Sequence, residues 1–201
     1  GGLRSHTSLP NPGLSGAIKQ YQARWAASPV PLVIHLLAET PGELRRMVER
    51  VEALGLFQAV EIGLADGLDA SEVQTLTRAA VGELPVITRL ALTEATSLAP
   101  AAWAGGAAAV SLGPPRGTLP DETDALVGGR LYSPAHFPLA LTVTQQLHAA
   151  GIPVIAAGGV TGVADGEALL AAGAIAVQMD TVLWQGTLGM DQTAPGPEQK
   201  E

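Results

Sequence analysis

The sequence predicts an α/β fold, a parallel sheet of the (β/α)8 TIM-barrel type in which short buried strands alternate with helices. Three observations carry that prediction. β-rich apolar runs recur between Ala/Leu-rich amphipathic runs from residue 30 to residue 179, the rhythm of a parallel sheet covered by helices. No G-x-G-x-x-G follows the first of these strands, which counts against an open dinucleotide-binding sheet. Finally, "PVIAAGGVTGVADGEALLAAGAIAVQMDT" at 153–181 reads as strand, diglycine turn, helix, strand and Thr-led turn. That is the order of the phosphate site after the seventh and eighth strands of a barrel.

In chain order the strands are expected at 30–36, 58–62, 84–90, 107–112, 152–157 and 175–179. Helical runs fall at 41–54, 70–82, 93–104, 135–149 and 164–172, with apolar residues at helical spacing. Thr40 before Pro41, with Glu43 three residues on, and Asp69 with Glu72 read as capping boxes. Ser133-Pro134 reads as N-cap and first helical residue, and Gly55, Gly105-Gly106 and Gly151 as stops. Trp25, Trp103 and Trp184 fall on expected helices as packing residues. Residues 113–133, "GPPRGTLPDETDALVGGRLYS", are too polar and rich in Pro and Gly for regular structure, so a long loop is expected. Residues 1–186 form the barrel domain in this reading, and 187–201 a disordered tail.

Composition narrows the function. The 201 residues hold no cysteine, which excludes disulfide scaffolds and zinc-thiolate sites. A net charge of -8 and 3% aromatic residues argue against nucleic acid. No apolar stretch reaches the ~20 residues of a membrane span, and the start, "GGLRSHTSLP", has no signal pattern. A cytoplasmic location is expected.

The chemistry-bearing residues sit where barrels keep their sites. His35, Glu61 and Arg89 lie toward the C-terminal ends of three successive strands. They read either as an acid–base and anion-binding cluster or as a buried Glu61–Arg89 charge pair plugging the barrel, with His35 a polar core residue. Gly158-Gly159 is either a phosphate cup or a tight turn. Arg116 and Arg130 flank the long loop, as holders of an anionic substrate or as solvated surface arginines. Gly128-Gly129 marks a turn or the loop's hinge. His136 is expected at the surface, and His148 near a helix end as a dipole contact.

Several segments in order resemble the dihydroorotate dehydrogenase family, flavin barrels that oxidise dihydroorotate to orotate in pyrimidine biosynthesis. "SHTSLPNPG" resembles that family's N-S-x-G-L-P-N-P-G, and "AVEIGL" its L-E-L-N strand. "PVITRL" resembles P-V-x-V-K-L, and "GGRLYSPAHFPLAL" resembles G-G-x-S-G-P-x-x-x-P-x-A-L. "PVIAAGGV" through "GAIAVQMDT" resembles the flavin phosphate segment, so the match covers about 1–185. The resemblance implies an FMN-type barrel. It places the cofactor at Arg89, Gly128, Gly129, Gly158, Gly159, Asp180 and Thr181, and the substrate at Ser5, Asn11, His35 and Glu61.

The same resemblance marks departures. Ser5 and Gly63 stand where the family has substrate asparagines, and Gly113-Pro114 replaces an Asn–Thr or Asn–Ser pair. The family's C-P-N becomes "LADGLDA", with Asp66 and Gly67 in its place, and Ser71 falls in the first turn of a helix. No catalytic Cys or Ser base is found, Arg89 replaces a lysine, and Asp180 brings a carboxylate to the phosphate cup. At ~4 Å and an effective dielectric near 20, that charge would cost about 4 kcal/mol against a phosphate charge. The expected function is therefore a divergent or catalytically degenerate dihydroorotate dehydrogenase-like flavin barrel. A non-catalytic subunit bound to a protein partner, or an enzyme acting on a phosphorylated small molecule, are the alternatives. Only six strands can be read against eight, and the segment matching residue 1 follows the first two strands in the family. The expectation is a barrel lacking N-terminal strands, with open edges covered in a homo- or hetero-oligomer.

Overall fold

The computed structural model describes residues 3–5, 11–120 and 123–179. Six parallel strands form the main sheet: β2 (Val33–Leu37), β3 (Ala59–Gly63), β4 (Val86–Ala91), β5 (Ala109–Gly113), β8 (Val154–Ala156) and β9 (Ala176–Val177). Their spatial order follows the chain order with no reversal. With right-handed crossovers, a sheet wound in one direction carries all its crossover helices on one face, as a barrel does. An open doubly wound sheet would reverse. The fold is thus the expected parallel α/β barrel type, of which the described residues supply six strands.

Helices α2 (Pro41–Glu52), α3 (Ala70–Ala80), α4 (Ala95–Ala104), α5 (Phe137–Ala149) and α6 (Val163–Ala171) connect these strands. One strand face packs under them: Leu36, Val60, Ile62, Val86, Leu90, Val110, Leu112 and Val154 are all buried in two apolar clusters. The strands lie close to their expected positions, two of them shortened at both ends. At α3 the capping box is complete, Asp69 accepting from Glu72 N–H at 2.9 Å and Glu72 from Asp69 N–H at 2.8 Å. At α2 it is one-sided. Thr40 accepts from Glu43 N–H, but the Glu43 carboxylate accepts from Glu39 N–H instead. Gly55, Gly106 and Gly151 take the positive φ expected of helix stops.

Three expectations are corrected. Residues 113–133 are not one irregular loop: β6 (Arg116–Pro120) and β7 (Leu126–Tyr132) form an antiparallel hairpin, and β7 also pairs with β1 (Leu3–Ser5). Gly117, a residue that weakens a strand by propensity, serves the pairing here, because a side chain there would overlap Leu131 of the facing strand, whereas one at Gly128 would meet nothing. Gly128 and Gly129 therefore belong to a strand, opposite Thr118 and Gly117, and form neither a turn nor a hinge. Trp103 lies on α4 yet is 45% exposed, so it is not a core packing residue. Ahead of β2 the chain forms α1 (Gly13–Ala26), the helix expected to carry Trp25 but not bounded among the expected helical runs. Its Trp25 packs edge-on against Phe57 at 5.3 Å, which agrees with the packing role expected for that residue. Trp184, Asp180, Thr181 and the tail 187–201 lie outside the described residues.

Candidate functional site

Because side chains alternate along a strand, the residues between those facing the helices share the opposite face. There the register aligns His35 with Glu61, Gly63 with Arg89, and Arg89 with Ser111. Four side chains converge on the Glu61 carboxylate. His35 Nδ1 lies 2.6 Å from Oε2 and the Arg89 guanidinium 3.5 Å from the same oxygen. Oε1 accepts from the Ser111 hydroxyl at 2.6 Å and the Gln178 amide at 3.1 Å. One carboxylate thus links four strands and the segment after β9.

The electrostatics follow from that geometry. Burial alone would raise the Glu61 pKa. The hydrogen bonds from His35 and Ser111, with the charge of Arg89, outweigh burial and hold the carboxyl at about 2. Glu61 is therefore ionised, and a carboxylate only accepts hydrogen bonds. Both sequence readings of the trio are met in part. Glu61 and Arg89 are paired, as the plug reading expects, and His35 completes a cluster, as the acid–base reading expects. His35 is not a core residue, however, because its side chain is 38% exposed.

Two glycines shape the space around this cluster. A Cβ at Gly63 would stand 2.6 Å from His35 Nε2, and one at Gly113 would stand 2.9 Å from Arg89 Nε. Side chains at 63 and 113 would therefore meet the imidazole and the guanidinium. Beyond them, at the C-terminal ends of β3–β5, a cleft of about 50 Å³ is lined by Gly63, Asp66, Arg89, Glu94, Gly113, Arg116 and Arg130, among others. Arg116 and Arg130 face each other across the hairpin, and Arg116 pairs with Asp66 at 2.6 Å. The hairpin, not a mobile loop, brings both arginines to the cleft.

The diglycine turn lies after β8. Gly158 and Gly159 are buried with φ of 116° and 72°. A Cβ at Gly159 would stand 2.5 Å from Phe137 N and 2.8 Å from Pro134 O, so packing against the start of α5 by itself requires glycine there. The N–H groups of Gly158, Gly159 and Val160 have no acceptor among the described residues. Thr161 donates its N–H and hydroxyl to Asp165, which holds that carboxyl below its usual range. The next backbone donors along the loop are therefore already turned to an internal carboxylate.

Other expected residues are placed elsewhere or only in part. Asn11 is exposed and accepts from Gly13 N–H at 2.9 Å, at the start of α1. Ser5 lies in β1 opposite Arg130. Ser71 lies exposed in the first turn of α3. His136 is half-buried in a 3₁₀ turn, not at the surface. His148 ends α5 as expected, and its ring lies over Gly173. Sequence reasoning missed Ser111 and Gln178 as site residues. The available signal was alternation, which puts Ser111, a polar residue in an apolar strand, on the same face as Arg89.

No family model matches the chain. Among curated proteins, it is 28% identical over 201 residues to the dihydroorotate dehydrogenase B (NAD(+)) catalytic subunit of Desulforudis audaxviator, covering 90% of this chain and 66% of that protein. It is 30% identical over 202 residues to the subunit of the same name in Maridesulfovibrio salexigens, again over 90% of this chain and 66% of that protein. With the dihydroorotate dehydrogenase A (fumarate) of Lacticaseibacillus paracasei it shares 28% over 200 residues, 84% of this chain and 66% of that one. The chain thus spans just under two thirds of the length of these relatives. In fold it is similar to the dihydroorotate dehydrogenase of Eimeria tenella solved with ferulenol, at a TM-score of 0.67 and 15% identity, over 91% of this chain and 62% of that chain. Among the described residues, no helix is long and apolar enough to cross a membrane, and no group of three His, Cys, Asp or Glu residues could hold a metal.

Proposed function

Because the chain is a distant homologue of the dihydroorotate dehydrogenases over most of its length, we propose that it is a divergent flavin-barrel protein, degenerate for dihydroorotate oxidation. The observation that carries the divergence is the filling of the two glycine positions. Where the resemblance puts a substrate asparagine at 63 and an Asn–Thr or Asn–Ser pair at 113–114, this chain has glycines with His35 and Arg89 against them. A neutral amide that reads a pyrimidine edge by donating and accepting is thereby exchanged for ionisable and cationic groups. A site built for one hydrogen-bonding pattern rejects a ligand that leaves its polar groups unpaired.

FMN fits this chain at one end. The three N–H groups at Gly158–Val160 suit a phosphate, since glycines in the left-handed region let backbone donors converge on an oxyanion. Arg89 would stand near the ring as a cation. When bound, the flavin would supply the redox chemistry, and the residues around it would orient and shield it. Those same N–H groups favour a second reading, an enzyme whose ligand is a phosphorylated small molecule without a flavin.

Purified protein decides between these readings. Bound flavin gives a yellow sample absorbing near ~450 nm, and calorimetry with added FMN gives saturable binding. A colourless protein that takes up inorganic phosphate but not FMN supports the second reading. A protein that binds neither overturns both. The exposed apolar residues on the two edge strands and their flanks, Val33, Leu37 and Ile175, favour an oligomer or a partner subunit in a cytoplasmic setting. Light scattering on the eluted protein tests that part, and a monomer at micromolar concentration ends it.

A further inference from the structure

The β6–β7 hairpin brings two like charges face to face. Arg116 opens β6 and is registered directly opposite Arg130 of β7. Next to them, Leu131 N–H donates to Pro115 O at 2.9 Å, so 115 and 131 are a hydrogen-bonded pair. Bonded and non-bonded pairs alternate along an antiparallel ladder. Arg116 and Arg130 are therefore a non-bonded pair, the kind whose side chains stand closest together on one face. Both residues line the cleft at the C-terminal ends of β3–β5. Like charges directly opposite each other destabilise a pair of strands. Asp66, which follows β3, offsets part of that repulsion, its Oδ1 lying 2.6 Å from Arg116 Nε. Both side chains of this contact are largely exposed, and exposed ion pairs hold weakly. The Asp66 carboxylate is thus a readily exchanged occupant. Elsewhere in the lining Arg89 is engaged by Glu61, and Glu94 adds a second carboxylate.

We propose that Arg116 and Arg130 form a clamp for the phosphoryl dianion of a small ligand, with Asp66 as its internal stand-in. The site is separate from the diglycine turn, since the cleft is lined by residues other than Gly158–Val160, and it requires no flavin. The two guanidiniums carry two positive charges, against which Asp66 sets one negative charge. A phosphate monoester at pH 8 sets two. Its three terminal oxygens accept from both planar forks at once, whereas the two oxygens of a carboxylate are taken up by one fork. The dianion therefore displaces Asp66, and that carboxylate turns to water. Only hydrogen bonds and ion pairs are exchanged.

Calorimetry and thermal unfolding of the full chain with methyl phosphate at pH 8 and low salt test this, beside acetate and FMN. Methyl phosphate is expected to bind saturably and to raise the thermal midpoint, with acetate at least about ten-fold weaker. Arg116→Gln and Arg130→Gln each lower the affinity for methyl phosphate at least about five-fold. Arg130→Gln also raises the midpoint of the unliganded protein, because it removes the like-charge contact. An arginine that only braced the hairpin would lower it. Methyl phosphate binding unchanged in both variants overturns the inference and leaves the N–H groups at Gly158–Val160 as the phosphate site. Acetate binding as tightly as methyl phosphate overturns it too, as does a lowered midpoint in unliganded Arg130→Gln. Failure of methyl phosphate to bind ends the inference, and FMN binding to the same protein leaves the flavin-barrel reading standing.

Discussion

Arg89 lies against Gly113 so closely that a Cβ at position 113 would stand 2.9 Å from its Nε. The two residues are on adjacent strands two positions apart in register, since Arg89 is registered with Ser111 and Ala91 with Gly113. The absent side chain at 113 is thus the room in which the guanidinium reaches both Glu61 and the cleft.

Gly113→Ala and Gly159→Ala should therefore differ sharply. The nearest atom to a Cβ at 113 belongs to a flexible arginine, which can swing aside, so the loss of stability is about 1 kcal/mol or less. At 159 the nearest atoms are backbone, at 2.5 and 2.8 Å, and φ is 72°. Left-handed strain and overpacking add there to about 2–4 kcal/mol. Urea unfolding of the two variants measures the gap, and equal losses would mean that Gly159 is not packed as described.

The Glu61 network makes stability depend on acid in a defined window. A carboxyl whose folded pKa is about 2 against its ordinary value of 4.5 stabilises the fold above pH 4.5, and the gain disappears as pH falls toward 2. Its size at neutral pH is on the order of 3 kcal/mol. Glu61→Gln should narrow the stability difference between pH 7 and pH 3 relative to wild type. Chemical denaturation at several pH values checks it, and parallel profiles would contradict the lowered pKa.

Asp66 and Arg116 form an ion pair with side chains 60% and 50% exposed. Exposed pairs contribute little, so Asp66→Asn should change stability by less than about 1 kcal/mol. It should nevertheless raise affinity for small anions, because it leaves Arg116 free at the cleft. Anion titration of the variant at low salt measures this, and an unchanged affinity would remove Arg116 from the site.

Asp69→Ala removes the complete capping box of α3. The loss should be about 1 kcal/mol, read as a fall in thermal midpoint with the ligand-binding properties unchanged. A shift in ligand affinity would mean that the 64–69 segment transmits the change to Asp66.

The amino-acid order by itself determined the wound sheet. Short apolar runs bounded by Gly, Pro and cap residues set β2–β5, β8 and β9 and the helices between them, because each signal is local and repeats the same buried unit. It also placed His35, Glu61 and Arg89 near the C-terminal ends of successive strands, since that position is readable from the pattern. Tertiary structure decided the rest. The 113–133 segment became a hairpin whose β7 also pairs with a strand more than a hundred residues away, and propensity does not register distant partners. Ser111 and Gln178 joined Glu61 because register across the sheet, which no local window holds, aligns them on one face. His35 emerged as an exposed, oriented imidazole only when the missing side chain at Gly63 gave its ring a place to lie.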